Sequence, residues 1–576
     1  MRILLACLLA FTSHAQPDTL VLNATVYTVD EGFATAEAFA IDNGAFALVG
    51  TNREVRAIAG DTTRVIDLGG AVVLPGLIDA HGHMAGLGQL EVGVIDLAGT
   101  TSYTQVIERV AERASAIQPG TWILGHGWDH ESWPERELPH HRELSDAVPD
   151  HPVSLSRVDG HATLANEHAM RTAGVSESSE SPAGGLIVRG ESGEPTGVFV
   201  DAAEALVTHA IPDEAQGDPR AMLLAAQRLC LAAGLTGVHD AGVDPSMTQL
   251  YKQLEASGEL SIRITGMMSL VYAAKWFEQN EPYRGERFSM AACKAYADGA
   301  MGSRGAWLLE PYADKPTGDD GAPYTGLAVT DPADIERAAK HARQHGYQLC
   351  THAIGDRANR EILNAYETAL RDDYVGVADG HITSNISDGQ VESKEFPGRL
   401  IRQDRRFRIE HAQLLAPADI PRFAALGIIA SMQPTHCTSD MRWIEDRVGV
   451  ERAAGAYAWR SLLDTGAVVA GGSDFPVESH NPFLGLYAAV TRQNLAGEPA
   501  GGWRPEERMT REEAIRSMTI DAAYASFDEH RLGSIEPGKR ADFIVIDRDI
   551  VIGHAEDIPG TIVLETWIDG ERVYRR

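Results

Sequence analysis

Six residues have side chains that could bind a metal ion or move a proton. They are His81 and His83 in "VLPGLIDAHGHMAGLG", Lys294 in "MAACKAYADGAMGSRGAW", His352 in "YQLCTHAIGDRAN", His411 in "FRIEHAQLL" and Asp474 in "VVAGGSDFPVESHNP". In a chain with 21 histidines an H-x-H pair is weak on its own. The set gains weight because every member ends, follows or lies within an apolar run. Two neutral imidazoles two residues apart leave an extended strand on the same face and can both ligate one Zn²⁺. His352 and His411 would add two more imidazoles. Asp474 can ligate a metal and also take a proton from bound water. Lys294 is the odd member, because an ammonium cannot bind metal and is costly to bury. Between Cys293 and Ala295-Tyr296, desolvation favours its neutral amine, which can add CO2 to become a carbamate. The alternative for Lys294 is a plain salt bridge.

The positioning elements are eight short apolar runs: Ala71–Ala80, Thr236–His239, Ile262–Leu270, Ala291–Ala297, Tyr347–Thr351, Phe407–Glu410, Ile428–Gln433 and Val468–Gly471. Most follow a helical pattern, such as 219–234, 332–346 and 417–427, each closing near glycine as helix C-termini prefer. Strands alternating with helices predict an α/β fold of the (β/α)8 TIM type, with chemistry at the strand C-termini. A doubly wound open sheet is the competing reading, and it lacks the Gly-rich phosphate turn. The interval from Ala80 to Thr236 is far too long for a normal strand–helix connection. We read residues 91–215 as a cap inserted between strands one and two, with the barrel occupying 71–90 and 216–530. Residues 16–70 and 531–576 alternate in the manner of strands with one exposed face. Together they predict one small β-sandwich built from both chain ends.

Seven segments, in this order, carry a resemblance: "PGLIDAHGH", "KAYADGAMGSRGAWLLEPY", "THAIGDRA", "EHAQLL", "SMQPTH", "GGSDFPV" and "LGSIEPGKRADFIV". The sequence resembles the amidohydrolase superfamily, specifically the amidohydrolase-3 group that includes N-substituted formamide deformylases. The resemblance implies two divalent metals, zinc by default. One would be held by His81, His83 and Asp474 and the other by His352 and His411, with carboxylated Lys294 as the bridge. It implies hydrolysis of a non-peptide C–N bond in a small molecule by metal-bound hydroxide, with Asp474 carrying the proton to the leaving amine. Metal-dependent esterase or lactonase activity needs much the same ligands. A non-catalytic exported binding protein on the same scaffold is a third reading, disfavoured because every ligand position is filled.

Substrate contacts must come from the cap and from other strand ends. The candidates are Trp128, Asp129, Arg157, His161, Arg304 and His436. Arg304 in "GSRGAW" is either a clamp for a substrate carboxylate or carbonyl or one half of a surface ion pair. His161 and His436 are either substrate contacts or satisfied structural histidines. His239-Asp240 could orient ligand residues or hold a loop.

The formal net charge of −32 disfavours nucleic acid and anionic lipid as partners. No window beyond the N-terminus approaches a membrane span. The opening "MRILLACLLAFTSHAQ" reads as a short export signal cleaved near Ala15, placing the mature chain in a periplasmic or extracellular compartment. Without C-x-x-C pairs, the remaining cysteines read as buried free thiols rather than a disulfide framework. The resemblance is compatible with a homodimer.

Overall fold

The computed structural model describes residues 16–318, 321–371 and 404–576, with only four short strands placed between 372 and 403. The predicted export signal and its cleavage point fall outside the described residues.

Eight parallel strands run hydrogen-bonded in chain order. They are β1 (Leu77–Gly82), β2 (Leu235–Val243), β3 (Arg263–Ser269), β4 (Phe288–Tyr296), β5 (Gln348–Ala353), β6 (Arg408–His411), β7 (Ile429–Met432) and β8 (Val469–Gly471). β8 meets β1 through the Asp79 carboxylate, which accepts from Ser473 N at 3.0 Å and Ser473 Oγ at 2.6 Å. The same seam is tied by Asp474 N donating to His81 O at 2.7 Å. The result is a (β/α)8 barrel, closed beside the residues of interest.

The helices start and stop where local chemistry dictates. Pro219–Ala232 and Pro332–His345 begin with proline in the first turn behind capping Asp218 and Asp331. The second ends on Gly346 at φ +77°, a left-handed conformation that costs glycine nothing.

One expected run divides. Ala71–Ala80 is not a single strand, because Val72–Pro75 belongs to the sandwich and only Leu77–Gly82 to the barrel. Continuous apolarity hid the break, since both halves are buried. Gly76 marks it: a Cβ there would lie 2.2 Å from Thr236 Oγ1.

The sandwich has a four-stranded sheet from the N-terminal region and a six-stranded sheet that mixes both ends. Phe543–Ile546 pairs antiparallel with Val72–Pro75, which pairs parallel with Thr25–Tyr27. Phe39, Phe46, Phe543 and Trp567 fill the space between the sheets. Phe543 stacks on Trp567 with ring centroids 5.3 Å apart.

The cap carries a six-stranded mixed sheet and the helix Tyr103–Ser115. It has a core of its own around Leu97, Val106, Trp128, Trp133, Leu155 and Val198. Cys230, Cys293, Cys350 and Cys437 are all buried free thiols. Among the described residues no helix is long and apolar enough to cross a membrane.

Candidate metal centre

Every residue of β1 is buried, so His81 enters the barrel interior with no exposure at all. His83 follows at the strand end and opens the helix Met84–Val92. Three of the imidazoles have their Nδ1 occupied. His81 Nδ1 lies 2.5 Å from Glu410 Oε2, His83 Nδ1 lies 3.0 Å from Ala241 O, and His411 Nδ1 lies 2.8 Å from Gln433 Oε1. Gln433 donates its own amide nitrogen to Ser431 O, which fixes the oxygen toward His411. Each acceptor demands a proton on Nδ1, and that leaves each Nε2 unprotonated, as a ligand atom must be.

Asp474 sits among these nitrogens. Its Oδ1 lies 3.1 Å from His83 Nε2 and 3.6 Å from His81 Nε2, is buried, and has no hydrogen-bond partner. Donor atoms of His81, His411 and Asp474 lie within 4.8 Å of one another. Asp474 and His411 both hold left-handed backbone, at φ +61° and +72°. Such conformations cost on the order of 1–3 kcal/mol each and persist where the surroundings over-determine them.

His352 ends β5 with its ring centroid 4.5 Å from that of His411. Its Nε2 faces Asp298 Oδ1 and Gly299 O, each at 3.5 Å, leaving Nδ1 as the available nitrogen. Asp298 is anchored by the backbone N–H groups of Trp307, Ile354 and Gly355. Burial pushes its carboxyl up to about 7 against those hydrogen bonds. Lys294 is buried with Nζ 3.0 Å from His81 Nε2. It forms no ion pair with a carboxylate among the described residues, which removes the plain salt bridge as an account of it.

Burial holds His81, His352 and His411 well below the ordinary histidine value, helped by Lys294 in the case of His81. Neutral imidazole is the form that ligates. Neutral imidazole nitrogens and one unpartnered carboxylate oxygen, all facing one space, fit a divalent transition metal.

Two connected cavities of about 520 and 410 Å³ share His352, His411 and Asp474. Four of the six substrate candidates line the larger one: Asp129, Arg157, His161 and His436. His161 Nδ1 lies 2.7 Å from Asp201 Oδ1, and its ring is 4.9 Å from that of His352. Burial acts to lower His161, but the Asp201 hydrogen bond outweighs it and raises the group to about 9. His436 stacks on His411 at 6.0 Å, with Nε2 3.8 Å from Asp474 Oδ2. Arg157 is held by Asp129 at 2.7 Å and by Asp159, and Arg442 takes the other Asp129 oxygen at 2.7 Å.

Two candidates are corrected. Trp128 is fully buried in the cap core, its indole N–H donating to Leu155 O at 2.8 Å. The strand register shifts between His126 and Trp128, so His126 faces the cavity and the tryptophan does not. Arg304 pairs with Asp314 at 2.8 Å and lines neither cavity. Its left-handed φ of +63° turns the chain at that point. His239 and Asp240 serve inside the barrel: Arg408 contacts the first, and Tyr251 and Met84 N donate to the second.

The reading by residue type missed Glu410, Gln433, Asp298 and Asp201. Glu410 had a signal, since Arg408 and Glu410 alternate with Ile409 in a strand otherwise built for burial.

Residues 64–574 match the amidohydrolase family model. The chain belongs to that family. This amidohydrolase is 34% identical over 571 residues to the Arabidopsis thaliana Protein LONG AFTER FAR-RED 3, covering 97% of this chain and 91% of the plant protein. It is 30% identical over 580 residues to the N-substituted formamide deformylase of Arthrobacter pascens, covering 97% and 98%. A crystal structure of an uncharacterized metal-dependent hydrolase from Pyrococcus horikoshii superposes with a TM-score of 0.70 at 26% identity. That match covers 93% of this chain and 99% of the other. The amidohydrolase is thus a metal-dependent hydrolase on a TIM-type barrel with added β domains.

Proposed function

We propose that this amidohydrolase cleaves the C–N bond of a small N-acylated amine. The observation that carries the reading is the convergence of His81 and His83 Nε2 on the unpartnered Oδ1 of Asp474. Its chemistry requires a divalent metal, for which zinc suits the nitrogen and oxygen donors. His81, His83 and Asp474 would hold one ion and His352 and His411 a second, with carboxylated Lys294 as a further ligand. Burial of Lys294 without a carboxylate partner supports that role, because a neutral amine can add to CO2 and release one proton.

A bound metal would supply a Lewis acid to polarise the scissile carbonyl and would bring the pKa of water toward neutrality. Asp474 takes the proton of the attacking water and delivers it to the leaving nitrogen as the C–O bond forms and the C–N bond breaks. Amines leave poorly as anions, so that delivery decides the rate for an amide. His161, oriented by Asp201, points its remaining nitrogen toward the substrate. The cap lines the cavity beside the centre with Asp129, Arg157 and His161.

Similarity to an enzyme named N-substituted formamide deformylase makes formyl and short acyl groups the first substrates to try. Asp474→Asn should lower kcat on a formanilide by roughly 10²–10⁴-fold without loss of folding. Metal analysis in bicarbonate should find about two ions per wild-type chain and a sharp drop in Lys294→Ala. Hydrolysis of the matching phenyl ester with no turnover of the anilide would move the assignment to a metal-dependent esterase. Export with cleavage near Ala15 belongs to the same proposal and is checked by N-terminal sequencing of the mature protein.

A further inference from the structure

The reaction above makes no use of a charged column inside the barrel. Arg408 on β6 is wholly buried. Its Nε and Nη2 grip the two oxygens of Glu410 at 2.7 and 2.9 Å. Nη2 also reaches Ala80 O at 2.6 Å and Ser431 Oγ at 2.8 Å, and Nη1 lies 2.8 Å from His239 Nδ1. Glu410, equally buried, presents Oε2 to His81 Nδ1 at 2.5 Å. The column therefore runs Arg408–Glu410–His81 and ends on an imidazole of the candidate centre.

Packing does not account for it. Two buried charges need strong mutual compensation, and apolar residues of similar volume often serve stability as well or better. The four barrel imidazoles are also held by unequal acceptors. His83 meets a backbone carbonyl and His411 a side-chain amide, and His352 faces the Asp298 carboxylate only at 3.5 Å, while His81 alone meets a carboxylate at close hydrogen-bond distance, 2.5 Å. An anionic acceptor fixes the ring tautomer and raises the donor strength of the opposite nitrogen more than a neutral one does.

We propose that Glu410 is a positioning residue that locks His81 in its Nδ1–H form and makes it the strongest metal donor of the set, with Arg408 holding Glu410 in place. The inference rests on the metal-binding reading given above. Glu410→Gln keeps the shape and an acceptor oxygen while removing the charge. That change leaves Arg408 without its counter-ion, so Arg408→Met/Glu410→Gln, which removes both charges, is measured beside it.

Full-length wild type and both variants are stripped of metal, checked for folding by circular dichroism, and titrated with Co²⁺ against a competing chelator. Affinity should fall 10–100-fold in both variants, with a shifted cobalt d–d spectrum. Wild-type affinity in either folded variant would overturn the role of Glu410 and leave the metal-binding reading standing. A wild-type chain that binds no cobalt would overturn both. One readout needs no variant: ¹⁵N signals of labelled histidine in metal-free wild type should show His81 protonated on Nδ1. The Nε2–H form there would equally overturn the assignment.

Discussion

The two walls of the cavity are built on different principles. On the barrel wall, the candidate imidazoles of His81, His83 and His411 are each fixed by their own acceptor, and those acceptors sit on strands or directly at strand ends. On the cap wall, Asp129, Arg157 and Asp159 bind mainly one another, with Arg442 reaching across from the barrel to the second oxygen of Asp129. The barrel wall aims lone pairs inward, whereas the cap wall keeps its charges paired and leaves His161 and His126 to face the cavity. The barrel wall thus rests on rigid strands, and the cap wall on an insertion that can vary without moving the barrel imidazoles.

The largest break in this comparison should come from Trp128→Ala. The indole anchors the cap core, so its loss should cost about 3–5 kcal/mol of cap stability in thermal or denaturant unfolding. Metal content should stay at the wild-type value, because no ligand depends on it. A fall in metal content would show that the two walls are coupled.

A smaller effect concerns Glu204, which lines the cavity from the cap and which burial raises to about 8 from an ordinary 4.5. Between those values the folded cap binds more protons than the unfolded chain, so this group makes stability fall as pH rises from 4.5 to 8. Glu204→Gln should flatten that slope in unfolding measured across the range. An unchanged slope would assign the pH dependence to other groups.

The smallest effect is expected at Arg304. Its partly exposed pair with Asp314 contributes less than about 1 kcal/mol. Arg304→Ala should therefore leave KM and unfolding temperature close to wild type. A KM raised tenfold would return this arginine to the substrate wall.

Much of the barrel wall was legible in the chain. Ligand types and strand-end positions follow from local patterns: an apolar run, a polar residue at its C-terminal end, then a glycine-rich or capped turn. The cap was harder. His126 and Trp128 are two residues apart and would share a face of a regular strand, yet a register shift between them sends one to the cavity and buries the other. Arg304 sits in a segment that resembles the family closely, and still its guanidinium turns to Asp314. Side-chain direction in irregular backbone depends on φ at a single residue, which composition and spacing do not reveal.

The sequence by itself determined the class of barrel, the contribution of both chain ends to one sandwich, and the six candidate side chains that line one cavity. Those follow from periodicity and residue chemistry, which are local. Only the tertiary structure decided which nitrogen of each imidazole is free and which carboxylate serves which ring. Glu410 precedes His411 in the chain, yet it orients His81, while Gln433 orients His411. Barrel closure makes these pairings by bringing strands remote in sequence to within a hydrogen bond of one another.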